Sequence, residues 1–513
     1  MKKLSGAAIG IFIINIISKL LGFVREMMIA YMFGTSYIVD VYTVAITLPS
    51  VIFSFFISGF SQSYIPIASR IENVSERKDF YNNLQTILFF VSVLLSLICF
   101  GMSERITQML APGFSKEAFE LTNIFVKIIA FIFPFMSLFS MTAANLLFYE
   151  HFAFANICDF IVFNILIIIS IFIAGKGNIF FLIIGYLLSQ IIVSFVLWVY
   201  AEKESLQKYQ FKIDISDKRV KEICFLAFPF GLSLFANQIN SVIDRLLAST
   251  LGEGVISALN YSNKIQLIIM GLTTMIFASV CYPRLNMFFA KKKYELGMKY
   301  ISKGIMLTNI LAIPLTGFFF LMSYPICQIL FQRGAFDANA TLMTSRCLSF
   351  YALGLVFYSY REILTRCLAA NKQQKLILKN TVCAVIFNIL FNIIMIRYLS
   401  YVGLALATSL AGFLAVILMF LDVKKIDAAI LSKRDLLDTI KIIVISIFVI
   451  GGIYLFYNQI LIFKNNYFMF ILEVFIGVIS YIILCFVLKI EIVMWIVEKV
   501  FETFKGIKRG GEE

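Results

Sequence analysis

Apolar stretches separated by short polar clusters recur from residue 6 to residue 488. A helix needs about 20 mostly apolar residues to cross roughly 30 Å of hydrocarbon. The pattern therefore predicts about fourteen transmembrane helices, at roughly 6–33, 37–68, 84–103, 120–148, 153–174, 178–200, 220–249, 254–288, 298–323, 340–369, 376–396, 402–422, 439–458 and 467–488. The expected fold class is an all-α polytopic membrane protein with no soluble domain. Met1-Lys2-Lys3 opens like a signal peptide, but the apolar run continues through Lys19 and Arg25 with no small-residue cleavage pattern, so a retained first helix is expected. In 489–509, Ile490, Ile492, Val493, Trp495, Ile496, Phe501 and Phe504 interleave with Lys499, Lys505, Lys508 and Arg509. That pattern predicts an amphipathic helix on the inner leaflet.

The spans repeat. Phe33-Gly34 to Tyr64-Ile65-Pro66 parallels Leu251-Gly252 to Cys281-Tyr282-Pro283, with glycine-to-proline intervals that differ by one residue. Gly113-Phe114 and Phe163-Asn164-Ile165 parallel Ala335-Phe336 and Phe387-Asn388-Ile389, at offsets of 222 and 224. An even number of crossings per repeat gives two parallel six-helix repeats, with an approximate two-fold axis along the membrane normal and a cavity for alternating access. The expected domains are an N-terminal bundle 1–201, a cytoplasmic linker 202–219, a C-terminal bundle 220–423, two additional helices in 424–490, and a basic cytoplasmic tail 491–513.

Composition excludes a water-soluble protein: 61% of the residues are apolar and 14% charged, against about a quarter charged in soluble domains. The net charge of +14 sits in short loops, with clusters such as Lys291-Lys292-Lys293 and Lys424-Lys425. The opposite loops 104–119 and 324–339 hold only one or two basic residues each. This asymmetry sets orientation, puts both termini in the cytoplasm and removes the case for a nucleic-acid partner. Nine cysteines lie mostly within spans and form no C-x-x-C, against a disulfide framework or a zinc site.

Ionisable groups inside spans cost at least about 2.5–3.5 kcal/mol at the bilayer centre, so each should face a cavity or a partner. They cluster in repeat-related helices: Lys19, Arg25 and Glu26, then Asp40, and in the second repeat Asp244, Arg245 and Lys264. Lys19 and Lys264 have no acidic neighbour within four residues on their own helices, which favours a cationic cavity and an anionic substrate. Arg25–Glu26 and Asp244–Arg245 can also neutralise locally or snorkel. Arg361, Glu362 and Arg366 are read as structural. Asn388 and Asn392, one turn apart, with Thr408 and Asp244 offer oxygens for a coupling Na⁺, or Asp244 alone a proton; the asparagines serve equally as interhelical packing. Pro134, Pro229 and Pro314 are expected to interrupt spans. The single histidine, His151, has no catalytic constellation around it, so no enzyme is expected.

Ser18-Lys19-Leu20-Leu21-Gly22-Phe23-Val24-Arg25-Glu26, Phe33-Gly34, Asp40, Leu48-Pro49 and Gly59-Phe60-Ser61-Gln62-Ser63-Tyr64-Ile65-Pro66 resemble the start of the MurJ (MviN) family of bacterial lipid II flippases. Ala111-Pro112-Gly113-Phe114 and Leu330-Phe331-Gln332-Arg333-Gly334-Ala335-Phe336 stand where that family has similar loops. The resemblance implies a transporter of the multidrug/oligosaccharidyl-lipid/polysaccharide (MOP) export superfamily, with a V-shaped cleft, in the bacterial cytoplasmic membrane. Its substrate would be lipid II, the undecaprenyl-pyrophosphate-linked peptidoglycan precursor, held by Lys19, Arg25 and Lys264, with Glu26 and Asp40 as cavity acids. A monomer is expected, with lipid II and membrane lipids as partners and no cofactor beyond coupling by Na⁺ or H⁺.

Lysine replaces the usual arginine at 19 and 264, which keeps the charge but loses the bidentate fork. After Leu48-Pro49 the family usually has an arginine pair, whereas residues 50–59 here are uncharged. Another polyprenyl-pyrophosphate-linked oligosaccharide therefore stays open as cargo. A cation-coupled drug exporter and a non-transporting scaffold are the further alternatives.

Overall fold

In the computed structural model the described residues are 2–175, 178–204, 206–277, 281–426, 430–459 and 467–498, and among them all regular structure is helical. The chain opens with α1 (Lys2–Phe33), α2 (Tyr37–Ala45), α3 (Thr47–Ile52), a π-helical turn at Phe53–Ile57, α4 (Ser58–Ala68), α5 (Val74–Gly101) and α6 (Ser103–Leu110). It continues with α7 (Lys116–Ala130), α8 (Phe133–Phe148), α9 (Phe152–Ile157), a second π-helical turn at Cys158–Val162, α10 (Phe163–Ala174) and α11 (Phe180–Lys203). Then follow α12 (Lys218–Ser249), α13 (Val255–Ile276), α14 (Tyr282–Ala290), α15 (Tyr294–Leu321), α16 (Ser323–Phe331), α17 (Ala338–Ala352) and α18 (Leu355–Ala370). Last come α19 (Gln374–Leu399), α20 (Tyr401–Lys424), α21 (Lys433–Gln459) and α22 (Tyr467–Val487).

The repeat is visible in helix length. α1 and α12 each have 32 residues, α5 and α15 28, α7 and α17 15, α8 and α18 16, and α11 and α20 24. Bends recur as well, at 43° between α7 and α8 and 46° between α17 and α18. Pro134 opens α8, where its missing N–H costs least. The second bend has no proline and follows Gly354. Pro229 and Pro314, expected to interrupt their spans, instead lie inside the continuous helices α12 and α15. Neighbouring helices in a membrane protein can satisfy the freed carbonyl and keep such a helix whole.

Among the described residues, nine helices are long and apolar enough to cross a bilayer, or eleven when each bent pair is taken as one span. The expected fourteen are thus not all of this kind. The eleven do not include α1, α12 or α13, the helices that carry Lys19, Arg25, Glu26, Asp244, Arg245 and Lys264.

By packing, the chain divides into residues 1–260 with 331–340, and residues 261–330 with 341–513. In the first unit Tyr64, Phe80, Tyr81, Leu84 and Met141 form a buried cluster. The Tyr64 hydroxyl donates to Asn145 Oδ1 at 2.8 Å, which pays the hydrogen-bond cost of burying both polar tips. The segment joining α11 to α12 is pinned to α5: Asn82 Nδ2 donates to Lys208 O at 3.1 Å, and Asn83 exchanges bonds of 2.8 and 2.7 Å with the Asp214 backbone. Asp217 then caps α12 by accepting from Arg219 N.

In the second unit α21 packs on α15, where Asn309 Nδ2 donates to Thr439 Oγ1 at 3.0 Å and Ser302 Oγ donates to Asp435 Oδ2 at 2.9 Å. Ile490 and Ile492, at the start of the expected amphipathic tail, are buried in this unit's core. The tail from Lys499 onward, including Phe501, Phe504, Lys505, Lys508 and Arg509, lies outside the described residues.

Candidate functional site

Arg25 and Glu26 are consecutive on α1, and both are nearly enclosed, with side chains 16% and 7% exposed. Arg25 Nη2 donates to Glu26 Oε1 at 2.8 Å and Nη1 to Asn164 Oδ1 at 3.0 Å. The second π-helical turn prepares this contact. Asn164, just past it on α10, returns its amide to Phe160 O at 2.6 Å and leaves its carbonyl for the guanidinium. Asn260 Nδ2 reaches Glu26 Oε2 at 3.4 Å. Arg25 Nε is buried with no partner among the described residues, and an unmade buried N–H bond costs about 1–3 kcal/mol. Lys19, earlier on α1, is exposed and makes no ion pair among the described residues.

Asp40 is 1% exposed and serves as the N-terminal cap of α13. Its oxygens accept from Gly254 N and Ser257 N, each at 2.7 Å, and from the Ser257 hydroxyl. Four N–H groups at a helix start lack intrahelical partners, and a carboxylate also complements the helix dipole there. The exchange is reciprocal, since Tyr37 N at the start of α2 donates to Glu253 Oε1 at 3.0 Å. Two neighbouring contacts obey the repeat. Ala335 N donates to Tyr31 O at 2.8 Å beside Gly34, and Gly113 N donates to Ser249 Oγ at 3.2 Å. A Cβ on Gly113 would lie 2.5 Å from Ser249 O. These glycines belong to the loop motifs that carry the family resemblance, and their role is close backbone approach.

Sequence reasoning missed the seam along α12. Within the first unit this helix runs antiparallel to α3, the first π-helical turn and α4. At one end the Arg245 guanidinium bonds Thr47 Oγ1. In the middle a Cβ on Gly231 would collide with Phe55 O, and one on Gly59 would lie 2.5 Å from Ala227 O. Close helix approach through small residues is how membrane helices gain contact where lipid supplies no hydrophobic drive. At the far end Arg70 Nη1 pairs with Glu222 Oε1 at 2.7 Å. Phe55 meets Phe228 and Phe235 at ring-centroid distances of 5.9 and 5.3 Å. The uncharged residues 50–59 thus form an apolar seam, and the only available signal was the pairing of Gly59 and Gly231 with phenylalanines. Arg70 and Glu222 are 66% and 42% exposed, so Arg70→Ala is expected to change thermal stability by less than about 1 kcal/mol, checked by a melting curve in detergent.

The other predicted residues are dispersed. Asp244 lies on α12 in the first unit and Lys264, half-buried, on α13 in the second; neither is without an interaction. Asn388, Asn392 and Thr408 do come together in the second unit: Asn392 Nδ2 donates to Asn388 Oδ1 at 2.9 Å, and Asn388 Nδ2 to Thr408 Oγ1 at 3.3 Å. No group of three or more His, Cys, Asp or Glu side chains suited to a metal occurs among the described residues. Arg366 pairs with Glu362 at 2.9 Å and stacks on Tyr282. His151 Nδ1 lies 3.2 Å from the Tyr200 hydroxyl.

Comparison with known proteins converges on one family. Its profile, "Lipid II flippase MurJ", matches residues 29–479. A probable lipid II flippase MurJ of Buchnera aphidicola subsp. Baizongia pistaciae is 28% identical over 468 residues, covering 89% of this chain and 90% of that protein. A probable lipid II flippase MurJ of Rickettsia prowazekii is 26% identical and covers 78% of this chain and 80% of its own length. A solved structure described as lipid II flippase MurJ in an inward closed conformation superposes with a TM-score of 0.80 at 27% identity, over 92% of this chain and 97% of that one. A MATE multidrug transporter of the MOP superfamily in an inward-facing conformation matches with a TM-score of 0.67 at 15% identity, over 80% and 95%, a likeness of fold. The chain belongs to the MurJ family of lipid II flippases.

Proposed function

We propose that this protein turns lipid II from the inner to the outer leaflet of the bacterial cytoplasmic membrane by alternating access. The observation that carries the reading is the Arg25 guanidinium, buried on α1 with Nε unpartnered among the described residues. A pyrophosphate supplies charge and acceptor oxygens together, and a charge-assisted bond there is about twice as strong as a neutral one. Lys19 and Lys264 add point charges, and the polyprenyl tail remains in the bilayer. Glu26 and Asp40 hold the neighbouring structure rather than the anion, Glu26 by orienting Arg25 and Asp40 by capping α13. The protein works as a monomer with both termini in the cytoplasm and performs no covalent chemistry. Coupling by Na⁺ or H⁺ is part of the proposal, supported by the Asn388–Asn392–Thr408 cluster and the carboxylate of Asp244.

The expected result of Arg25→Ala or Lys264→Ala is failure to support growth of cells depleted of their own lipid II flippase, with normal amounts of protein in the membrane. Growth at the wild-type rate would remove the cationic-site reading. A second reading, another polyprenyl-pyrophosphate-linked oligosaccharide as cargo, is favoured by the apolar seam where the family usually carries an arginine pair. Failure of the well-inserted wild-type protein to complement would select it. Transport in vesicles that ignores both Na⁺ and proton gradients would remove the coupling.

A further inference from the structure

Asp159 is the single charged residue of the span Ala153–Ala174. It stands on the second π-helical turn, six residues or about 9 Å in from the start of that span at 1.5 Å per residue. It is exposed, yet it makes no hydrogen bond or ion pair among the described residues. An ionisable group inside a span is costly unless it meets a cavity or a partner. The turn that carries it packs against α1, α10 and α11, and Tyr186 on α11 lies within electrostatic reach of both Arg25 and Asp159. Asn164, the partner of Arg25, follows Asp159 by five residues, about 8 Å along the axis. The carboxylate is therefore a neighbour of the Arg25 site.

The fixed charges there cancel. Glu26 neutralises Arg25 at 2.8 Å. α1 and α10 belong to the first and fifth of the expected spans and so cross the membrane in the same direction. Lys19, six residues before Arg25, thus stands about level with Asp159. A pyrophosphate drawn to Arg25 brings negative charge that these groups leave unbalanced, and it meets Asp159 as a like charge. Magnesium resolves both problems. It is commonly held by one or two carboxylates together with substrate phosphates, keeps several waters, and needs no cage of protein ligands.

We infer that Asp159 binds a divalent cation of the magnesium class together with the cargo, the metal bridging its carboxylate to the pyrophosphate held at Arg25. The inference rests on the lipid II reading above. Metal–oxygen bonds of about 2.0–2.1 Å on each side, a charge-assisted bond of about 2.7–2.9 Å to the guanidinium and the pyrophosphate itself together cover the axial gap of about 8 Å. A proton or Na⁺ would cancel the carboxylate and leave the charge of the pyrophosphate unbalanced.

The test measures binding of fluorescently labelled lipid II to the full-length protein in phosphatidylcholine nanodiscs, in magnesium chloride and in EDTA. For the unaltered protein the metal is expected to lower Kd about ten-fold. Asp159→Asn is expected to bind more tightly than the unaltered protein in EDTA, because the like charge is gone, and to gain less than about two-fold from the metal. Asp159→Glu should keep the gain. A merely structural role for Asp159 would instead weaken binding alike in both buffers. Equal Kd of the unaltered protein in the two buffers would overturn the inference, as would a full ten-fold gain for Asp159→Asn. Absence of binding by the unaltered protein in both buffers would remove the lipid II reading itself, and the inference with it. Should Asp159→Asn not fold, the two-buffer comparison on the unaltered protein decides the matter.

Discussion

Gly231→Leu is expected to leave the protein in the membrane but abolish growth of cells that depend on it. A Cβ at this position collides with the Phe55 carbonyl, and at the next contact a Cβ on Gly59 would lie 2.5 Å from Ala227 O. Because the obstacle is backbone, α12 cannot sit against the first π-helical turn without moving. Overpacking of this kind costs about 1–3 kcal/mol. At 1.4 kcal/mol per factor of ten, the upper figure lowers the population of the closed seam roughly hundred-fold. A transporter that alternates must close each end of its pathway in turn, so a state lost by this factor halts the cycle. The seam runs from Thr47 to Arg70, and its Gly59–Ala227 contact lies on the side of its middle that the proposed topology places toward the cytoplasm. A cysteine at the buried Ser58 should therefore react faster with an impermeant maleimide when Gly231→Leu is also present. Normal growth and unchanged reactivity would show that closing this seam is no part of transport.

Asp40→Ala should produce the largest loss of stability of any single change at the opposite end. It strands the backbone N–H groups of Gly254 and Ser257 and the Ser257 hydroxyl, all beside a position only 1% exposed. A lost cap costs about 0.5–2 kcal/mol and a buried unsatisfied donor about 1–3 kcal/mol. A combined loss of about 3 kcal/mol is expected, read as a lower midpoint of thermal unfolding in detergent. Asp40→Asn keeps an acceptor but gives up the charge that complements the helix dipole, and should fall about halfway. Glu253→Ala removes the reciprocal, exposed bond to Tyr37 N and should change the midpoint little. If Asp40→Ala melts like the wild type, the cap is not a source of stability.

The two substitutions bear on what could be read in advance. In the sequence Asp40 is an acid near a span end, and the family resemblance implies a cavity group. Its partners are some 214 to 217 residues away, and no local pattern reveals that a carboxylate caps a distant helix. Arg25 with Glu26 could be read either as a substrate site or as a local pair. The structure shows the pair and also the partner that sequence could not name, Asn164, together with the buried Nε left over. The absence of an arginine pair after Pro49 was legible as missing charge, whereas its consequence, a phenylalanine seam against α12, was not.

The sequence by itself determined the helical membrane class and the repeat. Both follow from local physics: apolar length sets a span, and a pattern that recurs along the chain gives paired helices of equal length. Only the tertiary structure decided which polar groups face each other and where backbones touch. A hydrogen bond or a glycine contact depends on distances of a few tenths of an ångström between residues far apart in the chain, and these exist only once the helices are packed.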